Sequence, residues 1–325
     1  MNEWIRLGLA VLMAWAWGGC SRQDGGRGMA GFPEPADGVV LQTDWFAQPE
    51  YAGFYQALAA GIYEAHGLKV TILEGGPNAD PMKRLALKRA HFINARSDDA
   101  IVAVARGMPV RFVGVTLQHN PQAILSHEAN AIRRFEDLDG KRIMVDVGAP
   151  WIRYLEKKYG IEMQLMPHNF GLNHFLSNPD FVMQCFLTNE PYYVRQKGAV
   201  PHVLPMWESG FDAYRGIIVH EDFLKSYPDV VRRFVQATHE GWHSYLYGDY
   251  HPAHRLIAER NPMMTDDFME YIRKSLFQWG IVSGEGNDPS VIGSVDKDRL
   301  SQQIEILHEL GVIEKKVDLG AVFAF

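Results

Sequence analysis

From Val39 onward the apolar positions follow two alternating rhythms. Short apolar runs predict strands, and recurrences at three- and four-residue spacing predict helices. Residues 39–43 form a run of the first kind. Tyr51, Phe54, Tyr55, Leu58 and Ile62 recur at helical spacing, and Gly67 closes that helix. Residues 69–73 predict the next strand, and Gly75-Gly76-Pro77 a break. Asp80 caps a helix with Pro81 at its first position, running to about Arg89. Residues 91–95 form a strand, Ser97 caps a helix to Gly107, and residues 110–117 form a strand again. This βαβαβαβ order predicts a mostly parallel sheet covered by helices on both faces.

A second series repeats the theme. Strands are predicted at 122–127, 141–146, 163–166, 182–186 and 202–205, with helices at 150–159 and 172–176. After a strand at 216–219 the pattern turns helical, with long amphipathic stretches at 228–247, 251–260, 266–279 and 296–310.

The N-terminus departs from both rhythms. Arg6 precedes an apolar run over residues 7–17, and Gly18-Gly19-Cys20 follows. The run is shorter than the roughly 20 residues a bilayer requires. Residues 1–19 are therefore expected to be a signal peptide. Cys20 is the expected lipidation site that would hold the chain at the membrane; cleavage near Gly19 without lipidation is the alternative. Residues 20–37, rich in glycine, proline and charge, read as a flexible tether. Beyond the tether the one cysteine is Cys185, which reads as a small buried hydrophobe. The net charge of −7 argues against a nucleic-acid partner.

Several segments resemble one family. They are Asp44-Trp45-Phe46-Ala47-Gln48-Pro49-Glu50-Tyr51-Ala52-Gly53-Phe54-Tyr55, then Gly75-Gly76-Pro77, Ala105-Arg106-Gly107-Met108-Pro109, Phe135-Glu136-Asp137-Leu138-Asp139-Gly140-Lys141 and Asn189-Glu190-Pro191-Tyr192-Tyr193. In this order they resemble the thiamine-pyrimidine-synthase-like (SsuA-like) solute-binding proteins. The resemblance implies an α/β periplasmic-binding-protein fold of type II, with two lobes joined by two crossover strands. Lobe I would comprise 38–118 and 212–325, and lobe II 119–211. It also implies an exported, periplasmic, monomeric receptor. That receptor would capture a small molecule, with a thiamine-precursor pyrimidine as the candidate, and deliver it to an ABC permease and its ATPase. No P-loop pattern occurs in the chain, so the ATPase would be a separate partner.

Ligands of open α/β sheets bind outside the carboxyl ends of the strands. Asp44 and Trp45 follow the first strand, and Tyr51 lies in the same segment. Asn78 follows the Gly-Gly-Pro turn, Ser97 and Asp98 follow the third strand, and Gln118 sits on an expected crossing. Trp151 belongs to the equivalent loop of the second series, and Glu190 and Tyr192 follow residues 182–186. In pyrimidine-binding members of the family, aromatic rings sandwich the ligand and carboxylates hold its amino group. The resemblance gives Trp45, Asp44, Tyr192 and Glu190 those roles.

Two enzyme readings compete. The synthases of the family carry a cysteine-rich motif, a cofactor-binding lysine and a substrate histidine. Here no lysine lies between Lys88 and Lys141, and no histidine between His91 and His119. Arg96 stands in the aligned region, and arginine forms no Schiff base. No catalytic residue and no cofactor is therefore assigned. Second, His239-Glu240-Gly241-Trp242-His243 is an H-E-x-x-H sequence, with Glu259 downstream as a third zinc ligand. Leu246 replaces the metzincin glycine, and Gly241 disfavours a helix interior by about 1 kcal/mol. The resemblance places this helix on the outside of lobe I, with both histidines facing solvent.

Overall fold

The computed structural model describes Phe32, Pro35 and residues 38–169 and 171–324. The expected signal peptide, Cys20 and nearly all of the tether lie outside the described residues. Residues from Phe32 onward form one compact unit.

Among the described residues ten strands build two sheets. β1 (Val39–Gln42), β2 (Val70–Leu73), β3 (Phe92–Arg96), β4 (Val110–Leu117) and β10 (Arg215–His220) form the first, in the order β2-β1-β3-β10-β4. β5 (Gln122–His127), β6 (Arg142–Val145), β7 (Gln164–Pro167), β8 (Val182–Phe186) and β9 (Pro201–Pro205) form the second, in the order β7-β6-β8-β5-β9. Each sheet has one strand running against the rest. β10 pairs antiparallel with β3 and β4, and β5 pairs antiparallel with β8 and β9. The reversed strand is in each case the one that follows a passage between the sheets. One passage is residues 118–121, the other residues 206–214. The architecture is that of two α/β lobes with mostly parallel sheets.

The helices fall largely where the periodicity places them. α1 (Ala52–Ala59), α2 (Ile62–Ala65), α3 (Pro81–Ala86) and α4 (Ser97–Ala105) connect strands of the first sheet. α5 (Pro150–Tyr159), α6 (Asn173–Ser177) and α7 (Glu190–Gln196) connect strands of the second. α8 (Glu221–Ser226), α9 (Pro228–Tyr247), α10 (His251–Arg260), α11 (Asp266–Gln278), α12 (Lys297–Glu309) and α13 (Leu319–Val322) follow β10.

Two differences have local causes. The single helix expected from Tyr51 to Gly67 is split, because Gly61 adopts φ +73° and ends α1. Gly241, unfavourable by propensity, is required by packing. A Cβ on Gly241 would lie 2.1 Å from the carbonyl oxygen of Gly53, and one on Gly53 would lie 2.3 Å from the Trp242 ring. The two glycines let α9 lie directly on α1 and bury Trp242 completely.

Candidate functional site

One cavity of about 700 Å³ is lined by residues that follow β1 and β3 in the first sheet and β6, β7 and β8 in the second. The first lobe contributes a charged wall. Asp44 accepts bonds from Arg215 Nη2 at 2.6 and 2.5 Å and from the Tyr51 hydroxyl at 2.8 Å. Arg215 opens β10; because that strand is reversed, its first residue lies at the carboxyl end of its neighbours. Burial works against the Arg215 charge, but Asp44 outweighs it and raises the guanidinium above its ordinary range. Arg96 ends β3, lying 3.0 Å from Asp98 Oδ1 and 2.9 Å from Asp99 Oδ1. Asp98 and then Asp99 hold it charged.

Two carboxyls are different in kind. Glu50 lies in a 3-10 turn, Pro49–Tyr51, and is 8% exposed. Its Oε1 accepts a bond from Thr188 Oγ1 at 2.5 Å, whereas Oε2 is enclosed without a partner among the described residues. Burial pushes this carboxyl up to about 6, against the opposing Thr188 bond. Glu190 opens α7 and accepts from the Phe186 amide at 2.8 Å. Burial pushes it up to about 7. Cys185 is also buried, and burial, then Glu190, raises its thiol.

The second lobe adds the loop after β6, including Asp146, Val147 and Gly148, together with Pro167, which ends β7, and His168 after it. Gln184 on β8 accepts from the Asp146 amide at 3.1 Å and so fixes that loop. Asn120 and Pro121 bring in the first passage between the sheets, and Gln122 the start of β5.

Of the residues expected at the site, Asp44, Trp45, Tyr51 and Glu190 line this cavity. The others are placed elsewhere. Asn78 is exposed in a turn. The preceding Gly75 and Gly76 amides are spent on Trp45 O at 2.9 Å and Asp44 O at 3.3 Å, so that loop braces the β1 loop. Ser97 is wholly buried: its hydroxyl donates to Gln303 at 2.6 Å and accepts from the Tyr214 amide at 3.0 Å. Ser97 is the first residue of α4 and Arg96 is its cap, which corrects the expected helix start. Asp98 is buried behind Arg96, while Arg96 and Asp99 line the cavity instead. Gln118 donates to Val291 O at 2.9 Å and Ser294 O at 3.0 Å, a structural tie. Trp151 is fully buried in the second-lobe core, and Gly148 and Ala149 replace it at the cavity. Tyr192 packs against Phe268 at 4.7 Å and Tyr271 at 5.3 Å, a contact between α7 and α11.

Sequence reasoning missed Glu50, Asn120 and Arg215. Glu50 carried a signal, since it stands in the same loop as Tyr51. Arg215 carried none: only the reversed strand brings it to Asp44.

The H-E-x-x-H sequence does not assemble. His239 donates through Nε2 to Val115 O at 2.8 Å, and burial lowers its pKa. That corrects the expectation that both histidines face solvent. His243 is exposed beside Tyr247, Glu240 bonds His66 at 2.9 Å, and Glu259 is exposed. Among the described residues no group of three His, Cys, Asp or Glu is arranged to hold a metal ion.

Two α/β lobes with one cavity at the carboxyl ends of both sheets define a periplasmic-binding-protein fold. The chain belongs to the family described as NMT1/THI5 like, whose profile matches residues 48–249. The periplasmic aliphatic sulphonate binding protein SsuA from Escherichia coli shares the fold, with a TM-score of 0.67 at 15% identity over 88% of this chain and 92% of that one. The 4-amino-5-hydroxymethyl-2-methylpyrimidine phosphate synthase of Legionella pneumophila is 27% identical over 105 residues, 32% of this chain and 33% of that protein. The riboflavin-binding protein RibY of Chloroflexus aurantiacus is 25% identical over 214 residues, 62% of this chain and 61% of that protein. The chain thus spans about a third of the synthase and three fifths of RibY.

Proposed function

We propose that this protein is the solute-binding component of an ABC importer. It captures a small nitrogen heterocycle between its lobes by hinge closure and releases it to a permease driven by a separate ATPase. The observation that carries this reading is the cavity itself, walled by strand ends of both lobes and large enough for a drug-sized molecule. Lobe I comprises 38–118 and 212–325 and lobe II 119–211, with the passages at 118–121 and 206–214 as the hinge. A ligand touching both walls would favour the closed arrangement selectively. The receptor is exported, acts as a monomer and is held at the membrane through Cys20. Among the described residues no helix is long and apolar enough to cross a membrane.

The synthase similarity covers a third of each chain, and no lysine lines the cavity among the described residues. Both facts favour binding over catalysis. A thiamine-precursor pyrimidine is the first ligand reading, because Trp45 offers a ring face beside carboxylates at the cavity wall. A flavin is the second, supported by the cavity volume and the longer match to RibY.

A thermal-shift screen of 4-amino-5-hydroxymethyl-2-methylpyrimidine, riboflavin, ethanesulfonate and nitrate tests this. A ligand at 100 times its dissociation constant stabilises the folded state by about 2.7 kcal/mol. A shift with sulfonate and none with either heterocycle would sink the heterocycle reading. Trp45→Ala is expected to weaken the bound heterocycle by about 1 kcal/mol with the melt of the free protein nearly unchanged. A large loss of stability would instead make Trp45 a packing residue.

A further inference from the structure

The charged side chains of the cavity are largely paired with one another, and a buried carboxyl oxygen is not. Arg215 and the Tyr51 hydroxyl both bond Asp44, and Arg96 is paired with Asp98 and Asp99. Both guanidiniums thus face carboxylates, although Arg96 Nε is itself enclosed without a hydrogen bond among the described residues. Glu50 is more than nine-tenths buried, lines the cavity, and keeps Oε2 enclosed without a partner among the described residues.

We propose, resting on the receptor reading above, that Glu50 is the specificity-determining residue of this cavity. Its unfilled carboxylate oxygen selects a neutral or cationic ligand that donates an N–H hydrogen bond, and rejects sulfonates, carboxylates and phosphates. A buried acceptor left unmade is costly, so a ligand that fills it gains more than the bond alone. An anion offers no hydrogen to Glu50 Oε2 and adds like-charge repulsion from Glu50 and Glu190. Asn120 Oδ1 is a second enclosed atom without a partner among the described residues. Its amide can turn either face to a ligand, so the sign of the selection rests with Glu50. Thr188, across the cleft, orients the carboxyl: it fixes Oε1 at 2.5 Å and leaves the other oxygen enclosed without a partner among the described residues.

The experiment is calorimetric titration at pH 8 of the full protein and its Glu50→Gln and Glu50→Asp variants. The probes are 4-amino-5-hydroxymethyl-2-methylpyrimidine, riboflavin and ethanesulfonate. Glutamine keeps the shape but can present an N–H to the cavity. The heterocycle-to-sulfonate affinity ratio is expected to fall about tenfold or more in Glu50→Gln and to recover largely in Glu50→Asp. A matched pair read on the unaltered protein, 4-amino-2-methylpyrimidine against 2,4-dimethylpyrimidine, needs no variant to fold. The amino compound is expected to bind about tenfold tighter or more. If a heterocycle binds but Glu50→Gln leaves the ratio unchanged, or the matched pair binds equally, the role of Glu50 is overturned and the receptor reading stands. Tighter binding of ethanesulfonate than of either heterocycle likewise overturns the role of Glu50 and leaves the receptor reading in place. Failure of every probe to bind the unaltered protein overturns the receptor reading, and this inference with it.

Discussion

Two contacts that bridge the halves of the molecule differ in chemistry. At the passages between the sheets, Asp212 Oδ2 accepts from His119 Nδ1 at 2.7 Å and lies 2.7 Å from Arg299 Nη2. Arg299 also donates to Gln118 O at 2.6 Å and lies over the Tyr214 ring at 3.8 Å. Between α7 and α11 the contact is made of ring faces and single hydrogen bonds. Tyr192 packs on Phe268, Tyr271 donates to Leu187 O at 3.1 Å, and Arg195 reaches the Tyr271 hydroxyl at 3.2 Å. The first contact is redundant and charged, and loss of any one partner strands another. The second parts one weak bond at a time. On the proposed receptor reading, a hinge must hold through every arrangement of the lobes, whereas a closing edge must release. α11 connects the two: its end at Gln278 lies about 10 Å along the helix axis from Tyr271, and just past it Ile281 O accepts from the Gln118 amide at 2.7 Å.

The largest effect is expected from breaking the hinge side. Asp212→Ala leaves Arg299 and His119 without their shared carboxylate in a mostly buried setting. It should lower the unfolding free energy by about 3 kcal/mol in urea melts. A loss below about 1 kcal/mol would mean that the passages are held mainly by packing.

A smaller effect is expected from titrating the cleft. Glu50 is raised from 4.5 to about 6 and Glu190 to about 7, each by burial. The folded protein therefore binds protons more readily than the unfolded chain. This stabilisation is full below the ordinary carboxyl pKa and is lost as the pH rises through 6 and 7. Unfolding free energy of the ligand-free protein should fall between pH 5 and pH 8, with Glu50 accounting for about 1 kcal/mol. Glu50→Gln should flatten that slope; an unchanged slope would remove Glu50 as its source. Glu50 meets Thr188 just before α7, so ionisation should loosen the α7 side and leave Asp212 and Arg299 untouched.

The order of elements was legible because each strand carries its own apolar run and each long helix its own stripe. The loop after β1 was legible too, since Asp44, Trp45 and Tyr51 sit where a parallel strand ends. Helices α7 and α8 were missed because they are short and begin with polar residues. The misplaced site residues share one cause. Periodicity says that a residue follows a strand, but not which of two neighbours the turn presents. At β3 the cap is Arg96 and not Ser97, so Asp99 and not Asp98 lines the cavity. At α5 the helix starts at Pro150, which carries Trp151 into the core and leaves Gly148 and Ala149 at the edge. Arg215 and Asn120 depend on strands and passages brought together from distant parts of the chain, which no local pattern encodes.

The smallest effect on stability, and the sharpest separation of the two contacts, is expected from Tyr271→Phe. The change keeps the ring that packs on Tyr192 at 5.3 Å and removes only the hydroxyl shared by Leu187 O and Arg195. Both bonds, one to a carbonyl and one from an exposed guanidinium, contribute little net free energy, because water can replace them once the lobes part. Unfolding free energy should therefore drop by less than about 1 kcal/mol, well under the Asp212→Ala loss. If α7 meets α11 only in the closed arrangement, the lost bond is missing from the closed state alone. Dissociation of a bound heterocycle, followed by tryptophan fluorescence in stopped flow, should then quicken about threefold while association is nearly unchanged. Equal slowing of association would place Tyr271 in the open state as well, and the α7–α11 contact would be a second fixed joint instead of a closing edge.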